Sequence, residues 1–171
     1  MELSEMKRIS KKSYISFITE YKTTMYRIAF GYLSEEAKAL DAVDEAVYLG
    51  YLHRKELRDP NFLKTWLTRI LINECYRILR RNKREVTMEE PPEKADFFTA
   101  EAALPLKQAV QDLPEDLRKV IVLRYFGGYT IADTAKLLEL PEGTVSTRSR
   151  KALGILRVAL DEEEGGLANG K

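Results

Sequence analysis

Apolar positions between residues 13 and 33 recur at three- and four-residue steps: Tyr14, Phe17, Ile18, Tyr21, Met25, Ile28, Ala29 and Tyr32. That spacing predicts an amphipathic helix with one buried face. A second helix follows, with Leu40, Val43, Val47 and Tyr51 on its apolar side. The stretch RDPN at 58–61 predicts a turn, because a residue preceding proline, here Asp59, is pushed out of helical geometry. A long helix then runs from about residue 62 to residue 84. The next segment, 86–101, has two adjacent prolines and little periodicity, and predicts a flexible linker. Helices resume with Leu106, Ala109, Val110 and Leu113 on one face. Pro114 suits a first helical position, opening a helix that buries Leu117, Val120, Ile121 and Leu123 until FGGY breaks it. No stretch alternates as a strand would. The expected class is all-α, as two small helical domains joined by a flexible acidic linker.

Composition adds one thing to this picture. The chain has 171 residues and a formal net charge of +1, but the charge is unevenly placed. Residues 54–84 are strongly basic, EVTMEEPPEKADFFTAE after them is acidic, 118–157 is basic again, and DEEE closes the run. A lone cysteine, Cys75, and a lone histidine, His53, supply neither a disulfide nor a metal cluster, so no metal and no cofactor is expected. Cys75 lies on an apolar face and reads as a small buried hydrophobe. No apolar run approaches the ~20 residues that span a bilayer, nor is there a signal-peptide core, so the expectation is a cytoplasmic protein without membrane insertion.

Wound at about 100° per residue, the long helix sorts Leu63, Leu67, Ile70, Leu71, Cys75 and Ile78 to one side. Trp66, Arg69, Asn73, Tyr76, Arg77, Arg80 and Arg84 fall on another. A charge run of this kind reads either as a solvated face or as a nucleic-acid surface. Rings interleaved with arginines bring in the second reading, because cations neutralise phosphates while rings stack on bases. Nearer the C-terminus, Thr130 followed by Asp133 is a capping-box pattern that starts a short helix. ELPEG forms a tight connection, and a further helix begins near Glu142 or Gly143 with Val145, Ala152 and Leu156 inward. Thr144, Thr147, Arg148 and Lys151 line its outside, flanked by Ser146 and Arg150, as in a helix-turn-helix reader.

Three stretches in order, ALDAVDEAV (39–47), FLKTWLTRILIN…LRR (62–81) and LPEDLRKVIVLRYFGGYTIADTAKLLELPEGTVSTR (113–148), resemble the extracytoplasmic-function (ECF) sigma factors of the sigma-70 family. The resemblance implies a region 2-like domain over 10–85, a linker over 86–102, a region 4-like helix-turn-helix domain over 103–160 and a disordered tail over 161–171. It implies a non-catalytic specificity subunit that binds core RNA polymerase through the β′ clamp helices and the β flap. Asp41, Asp44, Glu45 and Tyr48 would form the core-binding face. Lys64, Thr65, Trp66, Arg69, Asn73, Tyr76, Arg77 and Arg80 would bind and help open the −10 element of promoter DNA. Thr144, Ser146, Thr147, Arg148, Arg150 and Lys151 would read the −35 element. The family usually has glutamine where Asp44 stands, lysine or arginine at Ser146, and a bulky apolar residue at Ser149. An anti-sigma factor is an expected partner, and the free chain is expected to be a monomer. The acidic linker reads either as a solvated tether or as a mimic of nucleic-acid charge in the polymerase channel.

The alternative from another class is a stand-alone helix-turn-helix regulator needing no polymerase. It leaves Trp66 and the arginine stripe without a purpose. A helical enzyme fits least, since no nucleophile–base pair or phosphate-cradling loop is found and no catalytic residue can be named.

Overall fold

The computed structural model describes residues 8–85 and 100–168. In chain order the helices are α1 (Lys11–Leu33), α2 (Glu36–His53), α3 (Leu63–Glu85), α4 (Ala100–Asp112), α5 (Glu115–Ile121), α6 (Ile131–Leu138) and α7 (Glu142–Ala168). Single 3-10 turns at Arg54–Glu56 and Pro60–Phe62 join α2 to α3, and a π-helical stretch, Val122–Phe126, extends α5. Among the described residues there is no strand.

Local chemistry sets the ends of these helices. The Ser10 hydroxyl accepts from the Ser13 N–H at the start of α1, and Thr130 does the same for Asp133 at the start of α6, each satisfying an otherwise unpaired first-turn donor. Asp59 leads into α3 by accepting from the Asn61 N–H, with Pro60 in the first position of the turn. The expected linker falls mostly on residues outside the described ones, and its last residues, 100–102, already belong to α4. Of the expected disordered tail, residues 161–168 belong to α7, which continues to Ala168, and the rest lie outside the described residues.

The first three helices pack around Met25, Ile28, Val43, Leu67 and Leu71, all fully or almost fully buried. The inner face of α2 is made of small residues, Ala39, Ala42, Val43, Ala46 and Gly50. Gly50 lets α1 and α3 approach closely: a Cβ there would stand 2.6 Å from the Tyr14 hydroxyl oxygen and 2.7 Å from Leu67 Cδ1. Leu40, expected inward, is instead 42% exposed. Alanine and glycine allow a closer helix approach than leucine does, so they take the interior and Leu40 is turned outward.

The later helices have a small core of their own, Val120, Ala135 and Val145 with Ile131, Leu138 and Leu140 around them, and also share the main core with the first three. Leu113, Leu117, Val122, Leu123, Tyr129 and Leu137 belong to one continuous buried cluster with Met25, Ile28, Leu71 and Cys75. A close backbone approach is at Gly31, where a Cβ would meet Val122 Cγ1 at 2.9 Å and the Phe126 ring at 3.1 Å. Around it, the Tyr32 hydroxyl donates to the Lys119 carbonyl at 3.2 Å and the Gln111 amide donates to the Tyr32 carbonyl at 2.9 Å.

Candidate nucleic-acid and partner interfaces

On α3 the exposed cations follow the helical repeat. Lys64, Arg69, Asn73, Arg77 and Arg80 are exposed, while Leu67, Leu71 and Cys75 opposite them are buried. Thr65 and Trp66 are half-buried, and Trp66 packs against the apolar clusters rather than standing free beside the arginines. Tyr76 is more deeply committed. Its ring lies 5.5 Å from that of Tyr32, centroid to centroid, and Lys119 Nζ sits 4.6 Å above it. The stripe is therefore basic, with its aromatic members largely built into the packing. Arg77 is joined to Glu74, Nε to Oε2 at 2.9 Å, while Asn73 and Arg80 are exposed beside it.

The N-terminal end of this stripe meets the later helices. Thr68, fully buried, donates to the Lys64 carbonyl at 2.7 Å. Its oxygen also lies 2.8 Å from the Tyr21 hydroxyl and 2.9 Å from the Tyr129 hydroxyl, which are hydrogen-bonded to each other. Burial pushes the pKa of both tyrosines up, so both stay neutral hydrogen-bonding groups. Lys64 Nζ lies over the same two rings, 4.8 Å from the Tyr129 centroid and 5.6 Å from that of Tyr21. Arg69 donates from Nε to the Leu137 carbonyl at 3.2 Å and from Nη2 to the Lys136 carbonyl at 3.0 Å. These are among the last carbonyls of α6, where intrahelical bonding runs out; that of Lys136 also accepts a long bond from the Glu139 N–H at 3.4 Å. Glu139, the residue after α6, has φ 56°, a left-handed conformation usual for glycine, and its carboxylate is 3.7 Å from Arg69.

In the sequence Tyr21 is legible only as a member of the apolar face of α1, and Thr68 and Tyr129 carry no signal of this contact. Buried hydroxyls among apolar residues carry no periodic signature. Only the glutamate standing where a helix-stop glycine is usual was a readable anomaly.

The outer face of α2 carries Asp41, Asp44 and Tyr48, all exposed, with Glu45 half-buried beside them. Leu40 and Leu52 are exposed on the same helix, so the face mixes acids with apolar side chains. Next to it a shallow groove is lined by Ile15, Ile18, Val47, Tyr48 and Tyr51.

In α7, Thr147, Arg150 and Lys151 are exposed, while Thr144, Ser146 and Arg148 are half-buried. Val145, Ser149, Ala152 and Leu156 face inward and are buried. The small Ser149 is accommodated within the packing. Arg148 Nε approaches Asp116 of α5 at 3.8 Å, and the Thr147 hydroxyl donates back to the Gly143 carbonyl at 2.9 Å. A short helix, a tight turn and a second helix with hydroxyls and cations outward is the geometry of a major-groove reader.

Comparison with known proteins now decides the family. The family model for Sigma-70 region 2 matches residues 17–85, and that for Sigma-70 region 4 matches residues 103–156. The chain belongs to the sigma-70 family. It is an ECF-type sigma factor. It is 28% identical to the RNA polymerase sigma factor SigV of Bacillus subtilis, over 92% of this chain and 97% of that one. It is 34% identical to the ECF RNA polymerase sigma factor SigM of Mycobacterium tuberculosis, over 70% of this chain and 61% of that one. Among solved structures it resembles the sigma factor RpoE of Bartonella quintana, determined in complex with the anti-sigma factor NepR. The TM-score is 0.68 and the identity 26%, covering 85% of this chain and 97% of that one.

In region terms, α3 with Thr68 and Arg69 lies in region 2, and Tyr129 and the end of α6 lie in region 4. The hydroxyl cluster and the Arg69 contacts therefore tie the two regions of this sigma factor together. Cys75 lies in the shared core, where burial pushes its thiol up to about 12, so the inert reading of that residue holds. His53 is exposed and paired with Glu56 at 2.9 Å. Among the described residues no group of acidic, histidine and cysteine side chains is placed to hold a metal ion, and no helix is long and apolar enough to cross a membrane.

Proposed function

We propose that this sigma factor docks on core RNA polymerase through the outer face of α2 and meets the promoter through two separate surfaces. The observation that carries the docking reading is the exposed row on α2. Asp41 and Asp44 stand among Leu40, Tyr48 and Leu52, which contribute nothing to the protein's own core at that face. Acids interspersed with apolar groups suit a partner surface that is itself basic and partly apolar. The clamp helices of β′ are the proposed partner there, with the β flap engaging region 4.

The α3 stripe would hold the −10 element, with Lys64, Arg69, Asn73, Arg77 and Arg80 directed at the backbone and Thr65 and Trp66 supplying the surface beside an unpaired base; Tyr76, enclosed between Tyr32 and Lys119, would support that surface through packing. Unstacking a base costs a few kcal/mol, which stacking and phosphate contacts offset without any catalytic chemistry by this chain. On α7, Thr147, Arg150 and Lys151, with Thr144, Ser146 and Arg148 at the edges, would read the −35 duplex. Arginine recognises guanine edges, and hydroxyls bond either bases or phosphates. Such a subunit is non-catalytic and acts in the cytoplasm. By analogy with RpoE bound to NepR, an anti-sigma factor would inhibit it.

Co-migration with core RNA polymerase on a sizing column tests the docking reading. The wild-type chain should co-elute, and an Asp41/Asp44/Glu45 triple alanine variant should not. Equal retention of both would remove α2 as the docking face.

A further inference from the structure

We infer that Glu74 is a positioning residue of the −10 surface: it holds the Arg77 guanidinium by one edge and leaves the other end directed at a DNA phosphate. The inference rests on the reading of α3 as the −10 surface and deepens it. Glu74 falls on neither the apolar nor the cationic face of α3 drawn from the sequence. On a helix that meets an anion, an acid is by charge alone a disadvantage. Its side chain is only 11% exposed, against 52% for Arg77, and Arg77 Nε donates to Glu74 Oε2 at 2.9 Å. A carboxylate with so little water around it needs a partner, because burying an unpaired charge is costly.

The geometry divides the donors of the arginine. A guanidinium is planar and carries its N–H donors in a fixed fork, so a bond at Nε restrains the plane and leaves the Nη end for a second acceptor. Half of the Arg77 side chain is open to solvent, beside Asn73 and Arg80 on the exposed row. The carboxylates near Arg69 and Arg148 are looser partners. Glu139 stands 3.7 Å from Arg69 and Asp116 stands 3.8 Å from Arg148, and both acids are exposed. A surface pair of that kind restrains little. A buried carboxylate at hydrogen-bond distance restrains the arginine before DNA arrives, so less side-chain freedom is lost on binding.

The experiment uses holoenzyme assembled from core RNA polymerase and the full chain. Its readout is the anisotropy of a fluorescent fork-junction fragment whose single-stranded arm spans the −10 element of a promoter that this holoenzyme transcribes. Charge and position predict opposite signs for Glu74→Gln. Removing an acid beside a phosphate should tighten binding if charge alone matters. Positioning predicts weaker binding, by about two- to tenfold, the cost of immobilising one long side chain during association. Arg77→Lys keeps a cation beside Glu74 but lacks the fork, and should also bind more weakly than wild type. Adding Glu74→Gln to Arg77→Lys should then leave affinity unchanged or raise it, because the ammonium is released toward DNA. Glu74→Gln is isosteric and Arg77→Lys keeps the carboxylate paired, so neither strands a buried charge, and co-elution with core should be unaltered. Tighter or unchanged binding by Glu74→Gln, or an equal loss from it when residue 77 is already lysine, would overturn the positioning role. The underlying reading fails separately. The Glu74→Gln/Arg77→Ala pair should bind more weakly, with a salt dependence lower by about one phosphate. If that pair matches wild type in both, Arg77 is not a −10 contact and Glu74 has nothing to position.

Discussion

The buried contact among Tyr21, Thr68 and Tyr129 makes a quantitative prediction about coupling between the two regions. The single Thr68 hydroxyl proton goes to the Lys64 carbonyl at 2.7 Å, so Thr68 must accept from at least one tyrosine. Tyr129→Phe removes one hydrogen bond but leaves Tyr21 free to donate to Thr68, so no donor is stranded. The expected loss is about 0.5–1.5 kcal/mol. Thr68→Val keeps the volume and removes the acceptor. The tyrosines still bond each other, but one hydroxyl proton then has no partner, and a stranded buried donor costs about 1–3 kcal/mol. In the double variant the Thr68–Tyr129 interaction is lost only once, so the two losses should fall short of additivity by about 0.5–1.5 kcal/mol. The assay is urea unfolding of the full chain, wild type and three variants, followed by circular dichroism. A shared core predicts one cooperative transition. Additivity within about 0.3 kcal/mol, or two resolved transitions, would refute the contact between regions.

Two further outcomes are expected. Gly50→Ala should lower the melting temperature, because overpacking against Tyr14 and Leu67 costs about 1–3 kcal/mol and outweighs a gain in helix propensity of about 1 kcal/mol; Gly154→Ala, where a Cβ meets nothing within 4 Å, should show that gain alone in the same melt. Burial raises the Cys75 thiol from its ordinary value near 9 to about 12, so its contribution to stability is complete below pH 9 and is lost as pH rises toward 12; Cys75→Ala should flatten part of that alkaline decline in a urea titration, and an unchanged decline would count against the burial.

The helices were legible because each buries a face with its own period, and the helix-turn-helix was legible because its cap, turn and outward hydroxyls are local. What escaped the sequence was the second layer. A wheel drawn for α3 alone assigns Tyr76 to the charged side, yet the ring is enclosed by Tyr32 on one side and Lys119 on the other. No property of α3 announces that region 4 covers it. The α2 face was misread for a different reason. Large apolar side chains mark a buried stripe only where the interhelical gap is wide, and the gap beside Ala39, Ala42, Ala46 and Gly50 is narrow. Leu40 was therefore assigned inward, whereas it lies among the acids that form the proposed docking row.

The contact between the two regions is unevenly held. Arg69 remains 46% exposed and Glu139 81% exposed, so their ion pair contributes little, of the order of a surface pair at up to ~1 kcal/mol. The costly parts of the interface are elsewhere, in the apolar contact of Gly31 with Val122 and Phe126 and in the buried hydroxyls.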